Sequence, residues 1–394
     1  MMTSPARHPL APAFPVMAAV FVGYLVVGMA LPVLPLHVHD DLGFGPFVVG
    51  LVSGGQFLAA LVSRLWAGHL ADTRGSRHAV LAGLVAAMGG CGCYLLSLLF
   101  TPQPVVAVSI IMVGRILLGG AESLVITGGI SWALALLPAQ MAGKAIAWVG
   151  MAMFAAMAAG SPLGDLVYRH MGFGGIAGSA LLLPALATVL VWRQPALVPK
   201  ARPQGSVGAV LNAVILPGLA FALAGITFGA ITSFLTLYFA QAGWAHGALA
   251  FTGFASALIA ARFVWGDLPD RLGGARTALG CMVVQGIGLV MIALAPQGWI
   301  AILGACLCGG GFSLVFPGLG REAVRRAPED SKGMAMGVYN AFLDVTLGLG
   351  SPALGALAGV AGLRSVFLAS AVATILAMPF TAIMLRPAAQ SPTA

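Results

Sequence analysis

Twelve apolar runs of about 18–25 residues follow one another along this 394-residue chain, each long enough to cross a hydrocarbon core of about 30 Å. They are expected as helices near 15–36, 47–68, 79–100, 106–136, 144–166, 174–192, 213–240, 248–266, 277–295, 299–320, 333–357 and 364–385. Only 8% of the residues are charged and 60% are hydrophobic, where a soluble domain carries roughly a quarter charged residues. No water-soluble fold could bury that much apolar surface. Prolines inside the runs, such as Pro32, Pro162, Pro184 and Pro352, are tolerated in membrane helices. The ten-residue alternation of a membrane β-barrel is missing.

A formal net charge of +8 invites a nucleic-acid partner, but its distribution argues otherwise. With both termini placed in the cytoplasm, sixteen of the 19 Lys and Arg fall on the cytoplasmic side. Arg169 and Arg364 fall outside, and Arg115 lies within a helix. That bias sets orientation and explains the basic balance without any anionic partner. The first apolar run is too long for a cleaved signal peptide and lacks a small-residue cleavage site. Cys91, Cys93, Cys281, Cys306 and Cys308 all lie in apolar runs. Each Cys-x-Cys pair points its side chains about 200° apart on a helix, which suits packing and not metal chelation. No phosphate-binding G-x-x-x-x-G-K-[ST] loop is present, so direct drive by ATP is not expected, nor is any cofactor.

The chain also repeats itself at offsets of 190 to 198 residues. Arg64, Gly68, Leu70, Asp72 and Gly75 return as Arg262, Gly266, Leu268, Asp270 and Gly273. Gly119, Gly120, Ser123, Leu124 and Val125 return as Gly309, Gly310, Ser313, Leu314 and Val315, and Gly160-Ser161-Pro162 returns as Gly350-Ser351-Pro352. Three matches in the same order mean a duplicated six-helix unit. The expected domains are therefore 1–192 and 213–394, joined by a polar, proline-rich cytoplasmic linker at 193–212. The fold class is an all-α membrane protein of twelve helices in two six-helix bundles.

Two parallel six-helix repeats with a cytoplasmic linker resemble transporters of the major facilitator superfamily. The family's loop motif after its second helix, roughly G-x-L-A-D-[RK]-x-G-[RK]-[RK], appears as Gly68-His69-Leu70-Ala71-Asp72-Thr73-Arg74-Gly75-Ser76-Arg77. Thr73 stands where a basic residue is usual, with Arg74 beside it. Arg115 and Gly119 resemble the fourth-helix motif, and Gly160-Ser161-Pro162-Leu163-Gly164 resembles the fifth-helix motif of proton-coupled efflux members. The resemblance implies a gate at Gly68, Asp72, Arg74, Gly75 and Arg77, with a second-half counterpart at Gly266, Asp270, Gly273 and Arg276. There Asp270 would pair with Arg276, and Glu322 could join them. It also implies helix-packing roles for Gly160, Pro162, Gly164, Gly350 and Pro352.

An ionisable side chain at mid-membrane costs at least about 2.5–3.5 kcal/mol, so each is a functional candidate. Three stand out: Arg115 and Glu122 on the fourth helix and Asp344 on the eleventh. Arg115 and Glu122 are seven residues apart, hence within roughly 20° of one face but about 10 Å apart along the axis. Gly119 and Ser123 share that stripe. Asp344 has Asn340 one turn before it. Glu122 and Asp344 are the expected proton-coupling pair; Arg115, Glu122, Tyr24, Asn340 and Asp344 are the expected substrate contacts. Gln56, Thr232 and Tyr238 read instead as helix–helix hydrogen bonds. His37-Val38-His39-Asp40-Asp41 has metal-ligand residue types, but no scaffold is evident, so it reads as a solvated loop and no metal site is expected.

The function these features imply is a secondary active transporter and not an enzyme. The expected form is a proton-coupled antiporter that exports a small organic molecule (a drug, sugar or metabolite) by alternating access. The alternative is an importer or facilitator of a small anion or sugar that uses Arg115. The expected partners are the small-molecule substrate, protons and the lipid bilayer. A monomer in the bacterial inner membrane is expected.

Overall fold

A computed structural model describes residues 14–137, 142–194, 207–328 and 331–385. Among these every regular element is a helix, the form that lets a segment satisfy its own backbone inside lipid. The helices are α1 (Phe14–Ala30), α2 (Pro46–Arg74), α3 (Ser76–Leu98), α4 (Pro104–Leu136), α7 (Val207–Gln241), α8 (Gly247–Trp265), α9 (Gly274–Leu294), α10 (Gly298–Arg326), α11 (Lys332–Ala361) and α12 (Leu363–Ile383). The long run Ala142–Trp192 breaks at Gly172, whose φ of 62° and ψ of −166° are not helical. It therefore holds two helices, α5 (142–171) and α6 (173–192). Each expected span has its helix.

By contact density the chain divides into two compact units. The first is built from Met1–Phe44 and Gly55–Ala201, the second from Gly45–Gly54 and Arg202–Ala394. The sequence repeat reappears as repeated geometry inside each unit. The turn between α2 and α3 pivots on Gly75, with φ 94° and ψ 153°. The turn before α9 pivots on Gly273, with φ 92° and ψ 146°. Glycine takes that region without steric cost, which is why it recurs there. In the first unit Gly90 of α3 faces Gly114 of α4; in the second Gly288 of α9 faces Gly304 of α10. At all four a Cβ would come within 2.8 Å of the facing carbonyl oxygen. Lipid offers no hydrophobic drive between helices, so such close small-residue contacts are what hold them together.

Two expectations change. The linker expected at 193–212 falls mostly outside the described residues, and Val207 onward is already helix α7; its Val-Gly-Ala-Val-Leu run has nothing polar to stop it. The expected solvated loop at His37–Asp41 is instead a π-helical extension of the first span, closed by Leu42 N–H donating to the His37 carbonyl. His37 is 4% exposed. Its ring stacks on Phe173 of α6 at 3.9 Å between centroids, and its Nδ1 lies 2.7 Å from Asp41 Oδ2. Asp41 also accepts from the Tyr168 hydroxyl at 3.0 Å. The residue types suggested solvent, but the aromatic partner on α6 turned one of them inward.

Candidate functional site

In the first unit α4 lies directly on α2. A Cβ at Gly119 would overlap the Gln56 carbonyl oxygen, and one turn on the Ser123 hydroxyl donates to the Ala60 carbonyl at 2.6 Å. Glu122, between these two contacts in sequence, is thereby carried against the same helix. Its Oε2 accepts from the Gln56 amide Nε2 at 2.8 Å, and its Oε1 accepts from the Tyr24 hydroxyl of α1 at 3.3 Å. Arg64 and Arg115 both lie near enough to act on the carboxylate electrostatically. Glu122 and Tyr24 also line a narrow cleft with room for roughly one water molecule. Its other walls are apolar: Gly23 and Val27 of α1, Ala87 of α3, and Leu118 and Val125 of α4.

Of the residues singled out by sequence, the structure brings together Tyr24, Glu122 and Gln56, whose expected helix–helix hydrogen bond goes to Glu122. Arg115 is 1% exposed and lies beside Tyr94 of α3, and it is not among the residues lining the cleft. Asp344 is buried in the second unit on α11, with Asn340 one turn earlier and half-buried.

The gating residues fall at the helix ends. Gly68 sits on the last turns of α2, where Asp72 and Arg74 are exposed. Arg77 donates to the carbonyl of Gln194 at 2.8 Å and to that of Trp192 at 3.4 Å, so its partners are the carbonyls at the C-terminal end of α6, where a cation is favoured. In the second unit Gly266 follows α8. Asp270 pairs with Arg321 at 2.8 Å and not with the expected Arg276, which is exposed. The same Arg321 donates to the Pro269 carbonyl, so the tail of α10 supplies the cation. Glu322, expected in that cluster, pairs instead with Arg325 at 2.5 Å.

Gly160 and Gly164 press the α5 backbone onto α1, where a Cβ at either would strike Met29 backbone atoms, and Pro162 lies half-buried between them. In the second unit Gly350 has no such close contact. Pro352 and Gly355 lie instead against the first turns of α2, at Gly54 and Pro46.

The sequence model of the Major Facilitator Superfamily matches residues 16–260 and 218–394. The chain belongs to that superfamily. An uncharacterized MFS-type transporter of Salmonella typhimurium is 38% identical over 373 residues, covering 95% of this chain and 96% of the relative. The MFS-type transporter YhhS of Escherichia coli K12 is 36% identical, covering 92% and 89%. Among solved structures, that of the nucleoside transporter NupG has a TM-score of 0.76 at 13% identity, covering 95% of this chain and 100% of the other. That likeness is one of fold. As a superfamily transporter the protein is a multi-pass membrane carrier of small molecules, and no catalytic activity is indicated.

Proposed function

We propose that the protein is a proton-coupled antiporter that exports a small organic molecule by alternating access, with both termini cytoplasmic in the bacterial inner membrane. The observation that carries this reading is Glu122, a half-buried carboxylate inside the first unit, at a largely apolar cleft that admits about one water. A charge at mid-membrane costs about 2.5–3.5 kcal/mol, which makes an ionisable group there a functional candidate. A group that alternates between acid and carboxylate spends part of each cycle uncharged, and a water-sized cleft gives the proton a route. Asp344 is the second proton site in this reading. Sixteen cytoplasmic Lys and Arg support the orientation. Arg115, packed beside Tyr94 and outside the cleft lining, acts on Glu122 through its charge in this reading, and the anion-importer alternative assigns it to substrate instead.

The test is transport in proteoliposomes with an imposed pH gradient, using compounds first selected by thermal stabilisation of the purified protein. Counter-directed transport should accelerate at least about tenfold with the gradient. Glu122→Gln should keep exchange and lose the acceleration. Wild-type transport indifferent to the gradient would overturn the reading.

A further inference from the structure

Gln56 has a feature that ordinary helix packing does not explain. It is fully buried at 0% exposure, and its Nε2 donates to Glu122, yet its Oε1 is buried with no hydrogen-bond partner. Leaving an acceptor orphaned costs about 1–3 kcal/mol. A charge-assisted bond from the amide to a carboxylate is one of the few contacts strong enough to offset that. Once the carboxylate becomes an acid, the compensation is gone. The new O–H then needs an acceptor, and the orphaned Gln56 oxygen belongs to the group already touching it.

We propose that the Gln56 side-chain amide is the two-state positioning partner of Glu122, donating N–H to the carboxylate and turning over to accept O–H from the acid. This rests on the proton-coupling reading of Glu122. The amide's N and O ends are nearly the same size, and its terminal torsion is broad, so the turn needs no repacking. The proton that joins Oε2 comes from water and returns to it; no bond of the amide is made or broken. The other polar groups that act on Glu122 are the Tyr24 hydroxyl from α1, Arg64 from α2 and Arg115 from α4. Ala87 of α3 is apolar.

The repeat supplies an independent argument. Offsets of 198 and 190, the same that carry Arg64 to Arg262 and Ser123 to Ser313, carry Gln56 to Phe254 and Glu122 to Phe312. In the second unit the helix pair is nevertheless assembled in the same way. A Cβ at Gly309 would overlap the Phe254 carbonyl, and the Ser313 hydroxyl donates to the Leu258 carbonyl at 2.7 Å. The scaffold therefore does not need an amide at this position. Both polar residues are present in one half and both are replaced by Phe in the other, as expected of a pair that acts together.

The experiment is infrared difference spectroscopy on the purified full-length protein, titrated with buffer alone and carrying isotope-labelled glutamine. The expected result is a carboxylic-acid band that is absent in Glu122→Gln. A glutamine amide band should shift with the same midpoint and be absent in Gln56→Leu. In Gln56→Leu and in the near-isosteric Gln56→Met, the Glu122 midpoint should be displaced by roughly half a pH unit or more. If either variant fails to fold, the labelled amide band of the wild type still decides. A Glu122 band that titrates with no accompanying glutamine band overturns the amide proposal and leaves the proton reading standing. A Glu122 group that does not titrate at all overturns the proton reading itself.

Discussion

The two units present one scaffold with opposite contents. Where the first places Tyr24 and Glu122 on a water-sized cleft, with Gln56 hydrogen-bonded to Glu122, the second places Phe228, Phe254 and Phe312, with ring centroids 5.8 to 6.5 Å apart. Phe221 and Tyr339 extend the aromatic set. The backbone contacts beneath both are the same glycine approach and the same serine-to-carbonyl hydrogen bond. In a duplicated membrane protein the architecture thus resides in the small residues, and the chemistry in the few large ones set between them.

The severest way to break that comparison is to move the carboxylate across. Phe312→Glu places an acid among Phe228, Phe254 and Phe221 with no donor, and should cost about 4 kcal/mol in the thermal unfolding of the detergent-solubilised protein. Adding Phe254→Gln should recover about 1–2 kcal/mol of it, the worth of a charge-assisted bond. Full stability in the single variant would mean that Glu122 needs no partners either. Next in size, Gly119→Ala and Gly309→Ala should each destabilise by about 2–3 kcal/mol, because the added methyl overlaps a backbone carbonyl; unequal losses would show that the two scaffolds are not equivalent. Ser123→Ala and Ser313→Ala should each lose about 1 kcal/mol by the same measurement. Asp41→Asn should change the melting free energy by only a few tenths of a kcal/mol, since its carboxylate is 45% exposed. A larger loss would make the His37 contact a structural anchor of the first unit.

Much of the architecture was legible from the sequence because lipid leaves the chain few options: long apolar runs must be helices, and Gly75 and Gly273 mark turns that only glycine makes easily. Glu122 was legible for the same reason, as a costly residue on a stripe with Gly119 and Ser123. Gln56 was not. It meets Glu122 across 66 residues of sequence, and self-comparison hides it, because its counterpart is a phenylalanine. Polar composition made His37–Asp41 read as solvent-facing, when the i+5 winding and the Phe173 ring draw His37 inward. The cation for Asp270 lay at Arg321, 51 residues on, and not at the nearby Arg276. A motif shows which charges gather at a helix end, but the packing of α10 decides which of them meet.

The serine contacts carry one more consequence. Ser123 and Ser313 both spend their hydroxyls on a neighbouring helix, at a point where glycine has already brought the two backbones together. Each of the pairs α2–α4 and α8–α10 is in effect riveted at two successive turns, and rivets at that spacing resist both sliding and rolling. Spin labels placed on opposite members of one pair should therefore report a single narrow distance in every state the carrier visits.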